Sequence, residues 1–176
     1  MEFNQLGRDE LLPVLAANGF SIVEEYDYVL RFRSAKVTLS VSYNVLDRTS
    51  LLAAGRVGGY MYPVDNDVIK NVFGSPIEIE QVTMEAFVRH VVLFLKGDGS
   101  AILRGDLDAL DQIKRFVDDK SKAYTAKVVE EQTLTEVDDA WLNRRYADVV
   151  RLMGKLKIDE LPSSYQLKYK IAVQRK

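Results

Sequence analysis

The chain has 176 residues, of which 47% are hydrophobic and 28% are charged, and its formal net charge is −2. This composition is typical of a globular protein with a substantial core, and the small net charge argues against affinity based on phosphate neutralisation. The chain has no cysteine and one histidine. These counts exclude disulfides, thiol catalysis, iron–sulfur clusters and any site that needs two imidazoles.

The N-terminal part of the sequence predicts one helix and then short strands. Leucines spaced along one face predict a helix over residues 6–18, which Gly19 is placed to end. Residues 37–43 alternate apolar and polar side chains, as a strand with one buried face does. The breaks between strand-like runs, such as residues 44–48, are too short for parallel crossovers. We therefore expect an antiparallel meander of three or four strands.

The sequence between the meander and residue 83 gives weaker signals. A short helix over residues 65–73 is expected, capped by Asp65 or Asn66 and ended by Gly74. Residues 77–82 alternate and predict an edge strand.

From Thr83 onward the pattern is helical. Thr83 is placed to cap a first helix that stops after Lys96. A second helix is expected to open at Asp106 and run through Val128, and a third to open at residues 138–139. We expect these helices to pack as a small antiparallel array.

The C-terminal segment, residues 163–175, fits two patterns. Ser163 and Gln166 have the spacing of a capping box, whereas the apolar side chains alternate as in a strand. We favour a helix. The predicted fold is therefore α+β, with an N-terminal helix and antiparallel meander in residues 1–82 and an antiparallel helical half in residues 83–176, the two sharing one core.

Four aspartates in the second predicted helix are the candidate binding residues. They are Asp108, Asp111, Asp118 and Asp119, and the first two are neighbours at i and i+3. A carboxylate metal site and an acidic docking face are both consistent with them. Because lysines and arginines are interleaved, as on a solvated helix face, we predict no metal site and retain the docking face.

No motif in the sequence requires a particular chemistry, so we predict no catalytic residue and no cofactor. The glycines of residues 55–59 lack the spacing of a nucleotide-binding loop. An enzyme would have to combine His90 with carboxylates such as Glu24, Glu25 and Asp27 in one pocket. For His90 itself, a position at the edge of an amphipathic helix is the simpler interpretation.

The sequence also bears on location and on nucleic acid. The first ten residues lack the features of a signal peptide, and the longest apolar run, Val91–Leu95, is far shorter than a bilayer requires. We expect a soluble, cytoplasmic protein with no membrane partner. Residues 151–176 are basic and contain tyrosines, so nucleic acid is a minor alternative as a partner.

Two parts of the chain carry a family resemblance. Residues 11–43 (LLPVLAANGFSIVEEYDYVLRFRSAKVTLSVSY) resemble the opening of several uncharacterised bacterial α+β domain families, in which a helix ends at "GF" and leads to a strand pair. Residues 102–106 (ILRGD) and 140–150 (AWLNRRYADVV) are similar to the helical second halves of those families. Those families include candidate immunity proteins encoded beside polymorphic toxins. The resemblance implies no catalytic residues.

Together these observations predict a protein that acts by binding another protein. The most specific form of this hypothesis is an immunity protein that neutralises a cognate toxin. The acidic run from Asp98 to Asp139 would then face a basic partner. A hydrolase or transferase that uses carboxylates with His90 is the alternative. A regulatory or structural subunit of a homo-oligomer is a further alternative.

Overall fold

The structure is a computed structural model that describes residues 2–176. A helix and a five-stranded antiparallel sheet precede further helices, which confirms the α+β class. The chain divides into two compact units, Met1–Asp119 (unit 1) and Lys120–Lys176 (unit 2). The halves predicted from the sequence, residues 1–82 and 83–176, separate a part with strands from a helical part. That division differs from these two units and stays a prediction.

Unit 1 begins with helix α1, Phe3–Ala16, and continues into the sheet. The strands are β1 (Ser21–Tyr26), β2 (Val29–Arg33), β3 (Val37–Asn44), β4 (Thr49–Arg56) and β5 (Met61–Pro63). They lie side by side in chain order, and every neighbouring pair is antiparallel. The meander was expected to have three or four strands, and the short strand β5 makes it five.

Helix α2, Asn66–Phe73, has the boundaries that its sequence predicts. The Asp65 side chain accepts a hydrogen bond from the backbone N–H of Val68 at 2.8 Å, and Gly74 ends the helix in the left-handed conformation. Each end of the helix therefore has the cap that its residue type favours.

The edge strand expected over residues 77–82 is wrong, because side chains rather than a neighbouring strand bind this segment. Asn66 Oδ1 accepts from the backbone N–H of Ile79 at 2.7 Å. The Ser50 hydroxyl donates to the Ile79 carbonyl at 2.8 Å, and the Tyr43 hydroxyl donates to the Val82 carbonyl at 3.0 Å. Alternating side chains here follow an extended backbone that is not paired in the sheet.

Helix α3, Met84–Lys96, completes the core of unit 1. The Thr83 side chain caps it by accepting from the Ala86 N–H at 3.3 Å, as predicted. Helices α1 and α3 pack against each other, and both contact the sheet. The largest fully buried side chains between them are Phe3, Phe32, Phe87, Phe94, Leu11, Leu15, Leu30, Leu39, Leu52, Ile69, Ile79 and Leu95.

Two helices follow, α4 (Ser100–Leu103) and α5 (Leu107–Leu142). Helix α5 is continuous over 36 residues, so the separate helix predicted to open at residues 138–139 is wrong. No glycine or proline lies between Asp106 and Met153, and nothing in the sequence breaks the helix where the apolar pattern weakens. The chain turns only at Arg144, whose φ is 56°.

Unit 2 contains the end of α5 and two further helices, α6 (Tyr146–Met153) and α7 (Ser163–Arg175), with a 3₁₀ turn at Ile158–Glu160 between them. Helix α7 settles the ambiguity of the C-terminal segment in favour of a helix. The predicted capping box is wrong, because no side chain caps α7 and Gln166 donates instead to the Leu161 carbonyl at 2.8 Å. The buried residues of unit 2 form their own cluster: Val137, Ala140, Val149, Leu152, Met153, Leu161 and Ala172.

The β4–β5 hairpin depends on a glycine at position 55. A Cβ there would lie 2.3 Å from the carbonyl oxygen of Tyr60 and 3.0 Å from the Cα of Met61, which is closer than such atoms approach. Only a residue without a side chain allows the two strands to come together at this point.

We expect Gly55→Ala to lower the free energy of unfolding by about 1–3 kcal/mol, because the backbone must shift. Urea unfolding followed by circular dichroism measures this. Gly59→Ala in the same hairpin is the matched control, since a Cβ there would lie 3.3 Å from the Arg56 carbonyl oxygen. The control should lose less than about 1 kcal/mol. Equal losses in the two variants would contradict the steric argument.

Candidate functional site

The candidate site is a cleft between the β4–β5 hairpin and the first turns of α5, which we call the hairpin cleft. Its volume is about 300 Å³. The lining residues are Gly55, Arg56, Gly59, Tyr60, Tyr62, Leu110, Asp111 and Lys114. The cleft therefore combines two tyrosines with charges of both signs, a mixture suited to recognition of another protein.

The turn that forms one wall of the cleft is fixed by backbone hydrogen bonds. The Gly59 N–H donates to the Arg56 carbonyl at 2.9 Å, and the Val57 N–H donates to the Lys36 carbonyl at 3.0 Å. Gly58 has φ 75°, in the left-handed region that glycine adopts without strain. The turn is thus closed within itself and also tied to the β2–β3 turn.

Tyr60 is the most exposed part of this wall, with 73% of its surface accessible. Its ring meets that of Tyr62 edge to face, with centroids 4.9 Å apart and planes at 70°. Tyr62 is half-buried and packs against the core of unit 1. The exposed ring is therefore supported by a second ring that is itself held in place.

The other wall carries paired charges. Arg56 Nη2 lies 2.7 Å from Asp111 Oδ2, and Lys114 Nζ lies 3.9 Å from Asp118 Oδ2 one turn further along α5. These pairs are solvent-exposed, and such pairs contribute only about 0–1 kcal/mol to stability. The first pair holds the Arg56 side chain against α5.

The four aspartates predicted as a docking face lie on one side of α5, within an arc of about 100° at 3.6 residues per turn. Only Asp111 lines the cleft. Asp111 and Asp118 are ion-paired, and Asp108 and Asp119 are exposed. The acidic side chains thus share their surface with cations and do not form a purely acidic patch.

Tyr60 is not among the residues predicted from the sequence, and the neighbouring glycines have no predicted role. The available signal was a pair of glycines directly before an aromatic residue, Gly58-Gly59-Tyr60, following an apolar strand. Such a sequence is typical of a tight hairpin turn.

Two carboxylates of the enzymatic alternative, Glu24 and Glu25, have separate partners. Glu24 pairs with an arginine of β2, and Glu25 with an arginine of α1. Adjacent residues of a strand point to opposite faces of a sheet, so these two carboxylates do not share a pocket. Asp27 lies in the β1–β2 turn, and His90 Nδ1 lies 2.6 Å from the Glu78 carbonyl oxygen.

Within residues 2–176, no three His, Asp or Glu side chains come together in a metal-binding arrangement. In the same described part of the chain, no helix has the length and apolarity needed to span a bilayer.

A polar cluster of unit 2 joins Asp138 of α5 to two residues of α7. The Tyr165 hydroxyl donates to Asp138 Oδ2 at 2.8 Å, and Lys168 Nζ donates to Oδ1 at 2.6 Å. Partial burial raises the pKa of Asp138, but these hydrogen bonds outweigh it and hold the pKa below its ordinary value. The hydrogen bond to Asp138, aided by burial, raises the pKa of Tyr165. The cluster joins α5 to α7 and is structural.

Comparison with protein-family models, with curated proteins and with solved structures finds no match for this chain.

We expect Asp138→Asn to destabilise unit 2 by up to about 1 kcal/mol at pH 7, the range of exposed ion pairs. A lowered native pKa means that the stabilisation is present above the unfolded pKa of an aspartate, about 3.9, and disappears as pH falls through the native pKa. The difference between wild type and variant should therefore be constant above about pH 5 and shrink below it. Fluorescence of Trp141, the single tryptophan, measures unfolding in this unit.

Asp159→Asn is the control for this measurement, since it removes an exposed carboxylate of unit 2 outside the cluster. It should change the free energy of unfolding by less than about 0.5 kcal/mol. A difference between wild type and Asp138→Asn that stays constant down to pH 2 would show that the carboxylate charge is not what stabilises the cluster.

Proposed function

We propose that this chain is a protein-binding module without chemistry of its own, and that the hairpin cleft is its contact surface. The observation that carries the proposal is Tyr60, an exposed ring held on a rigid turn beside an oriented arginine. Tyrosine and arginine are enriched among the residues that dominate binding energy at protein interfaces.

Rigidity of the turn favours this use. Binding requires that contact residues become ordered, at a cost of about 0.5–1.5 kcal/mol for each flexible side chain. The backbone bonds of residues 56–59 and the contact with Tyr62 order Tyr60 before any partner arrives. A preorganised tyrosine contributes a large contact area at small entropic cost.

The charge of unit 1 supports a basic partner. Residues 1–119 contain 18 Asp and Glu against 12 Lys and Arg, a formal charge of −6. Complementary charge accelerates the encounter of two proteins and disfavours wrong partners. In its most specific form the proposal is a cytoplasmic immunity protein that neutralises a basic cognate toxin, as the family resemblance implies.

We expect Tyr60→Ala to weaken partner binding by about tenfold or more, the range of a central interface residue. The measurement is an affinity capture with tagged baits, read by mass spectrometry and followed by calorimetry on the purified partner. Tyr124→Ala is the matched control, because Tyr124 is also a highly exposed tyrosine, 70% accessible, but lies on α5 outside the cleft. Tyr60→Phe should retain most of the affinity.

A partner bound equally by wild type and Tyr60→Ala would show that the cleft is not the contact surface. If the captured partner arrests growth when expressed alone and not when co-expressed with this chain, the immunity form of the proposal is supported. Continued arrest during co-expression would contradict the immunity form while leaving a binding function.

The acidic side of α5 provides a separate prediction. Replacement of Asp108, Asp111, Asp118 and Asp119 by Asn should slow association and flatten its dependence on ionic strength, because long-range attraction is screened by salt. Stopped-flow association rates at low and high salt measure this. If rate and salt dependence stay at wild-type values, the aspartates do not steer a partner.

A further inference from the structure

The turn between β3 and β4 presents an apolar tip. Leu46 is 97% exposed there, and Val45 beside it is exposed as well. Asn44 Oδ1 accepts from the Leu46 N–H at 2.9 Å, and Asp47 Oδ1 accepts from the Thr49 N–H at 3.0 Å. We call Val45, Leu46 and Asp47 the knob. Since side chains on both sides bind the turn backbone, Leu46 projects from an ordered structure.

A groove of about 560 Å³ lies where the C-terminal ends of α1 and α3 meet α4, and we call it the terminal groove. Its lining residues are Pro13, Val14, Ala17, Asn18, Leu95, Lys96, Ser100, Leu103 and Arg104. The lining is mainly apolar. Lys96 and Arg104 are its only charged members, and neither forms a salt bridge with another residue in the described part of the chain.

We propose that the knob of one copy inserts into the terminal groove of a second copy. Leu46 and Val45 would contact the apolar lining, and the Asp47 carboxylate would face Lys96 and Arg104. The two surfaces are complementary in polarity and in charge. The knob is an exposed apolar tip with one carboxylate, and the groove is apolar with two cations. Arg48, the next residue along the chain, lines a separate depression together with Glu78 and Glu80.

The sheet register places the two surfaces at opposite ends of unit 1. Asn44 pairs with Thr49 at the knob end, whereas Thr38 pairs with both Arg33 and Gly55 at the other end. Helix α1 leads into Ser21, which pairs with Arg33, so the terminal groove belongs to that second end. A copy therefore cannot fill its own groove. In the proposed head-to-tail arrangement each complex keeps one free knob and one free groove, so assembly continues beyond the dimer.

Sedimentation velocity on the full chain tests this, over concentrations from about 1 μM to about 1 mM, the range of weak to moderate affinities. We expect the weight-average mass to rise progressively past that of a dimer. Leu46→Ser should weaken association by about tenfold or more, since it removes a leucine from the contact. Leu142→Ser is the matched control, because Leu142 is 80% exposed and lies in unit 2; it should associate as wild type does.

Mixing two defective variants tests the head-to-tail arrangement directly. Leu46→Ser keeps an intact groove, and the double variant Lys96→Glu, Arg104→Glu keeps an intact knob. Each alone should be monomeric, whereas the mixture should form a 1:1 complex that grows no further. A wild-type chain that stays monomeric throughout, a closed dimer, or a mixture that remains monomeric would each overturn the proposal. Tyr60 takes no part in this contact, so the outcome is independent of partner binding at the hairpin cleft.

Discussion

The close approach of Gly55 to the backbone of Tyr60 is the constraint on which the candidate site depends. A Cβ at position 55 would lie 2.3 Å from the Tyr60 carbonyl oxygen, so β4 can turn into β5 only because this residue has no side chain. This turn then places Tyr60 against Tyr62 and Arg56 opposite Asp111. The lack of a side chain at this one position thus determines where the aromatic and charged groups of the cleft lie.

Local sequence patterns correctly predicted the elements that have a clear hydrophobic periodicity or clear capping residues. The clean alternation of residues 37–43 became β3, and Asp65 and Gly74 cap α2 at the ends expected from their residue types. Prediction failed where a tertiary contact decides the outcome. Residues 77–82 alternate like a strand, but the Asn66 side chain takes the backbone hydrogen bonds that a neighbouring strand would need. Helix α5 continues through a region of weak apolar pattern because nothing there breaks it.

The candidate site was largely beyond sequence reasoning for the same reason. The sequence predicts Asp111 as a candidate binding residue, but its ion-pair partner Arg56 lies 55 positions away, and no local pattern joins the two. Tyr60 follows a glycine pair, a signal for a hairpin that says nothing about exposure. The exposure of Tyr60 depends on the tertiary arrangement of the hairpin and α5, which line the same cleft.

Unit 1 presents two distinct surfaces near the same end of its sheet, the hairpin cleft and the terminal groove. The cleft carries tyrosines and paired charges, whereas the groove is mainly apolar and includes Lys96 and Arg104. A partner that recognises Tyr60 and a second copy that inserts Leu46 would thus use different chemistry on different residues. This separation allows partner binding and self-association to be altered independently.

The most direct test of the central claim, that the hairpin cleft binds another protein, is hydrogen–deuterium exchange of the chain alone and in complex with its captured partner. Binding at the cleft predicts slower exchange in residues 55–62 and in the first turns of α5, with little change in residues 120–176. Protection confined to residues 120–176, with unchanged exchange in the hairpin, would contradict the account.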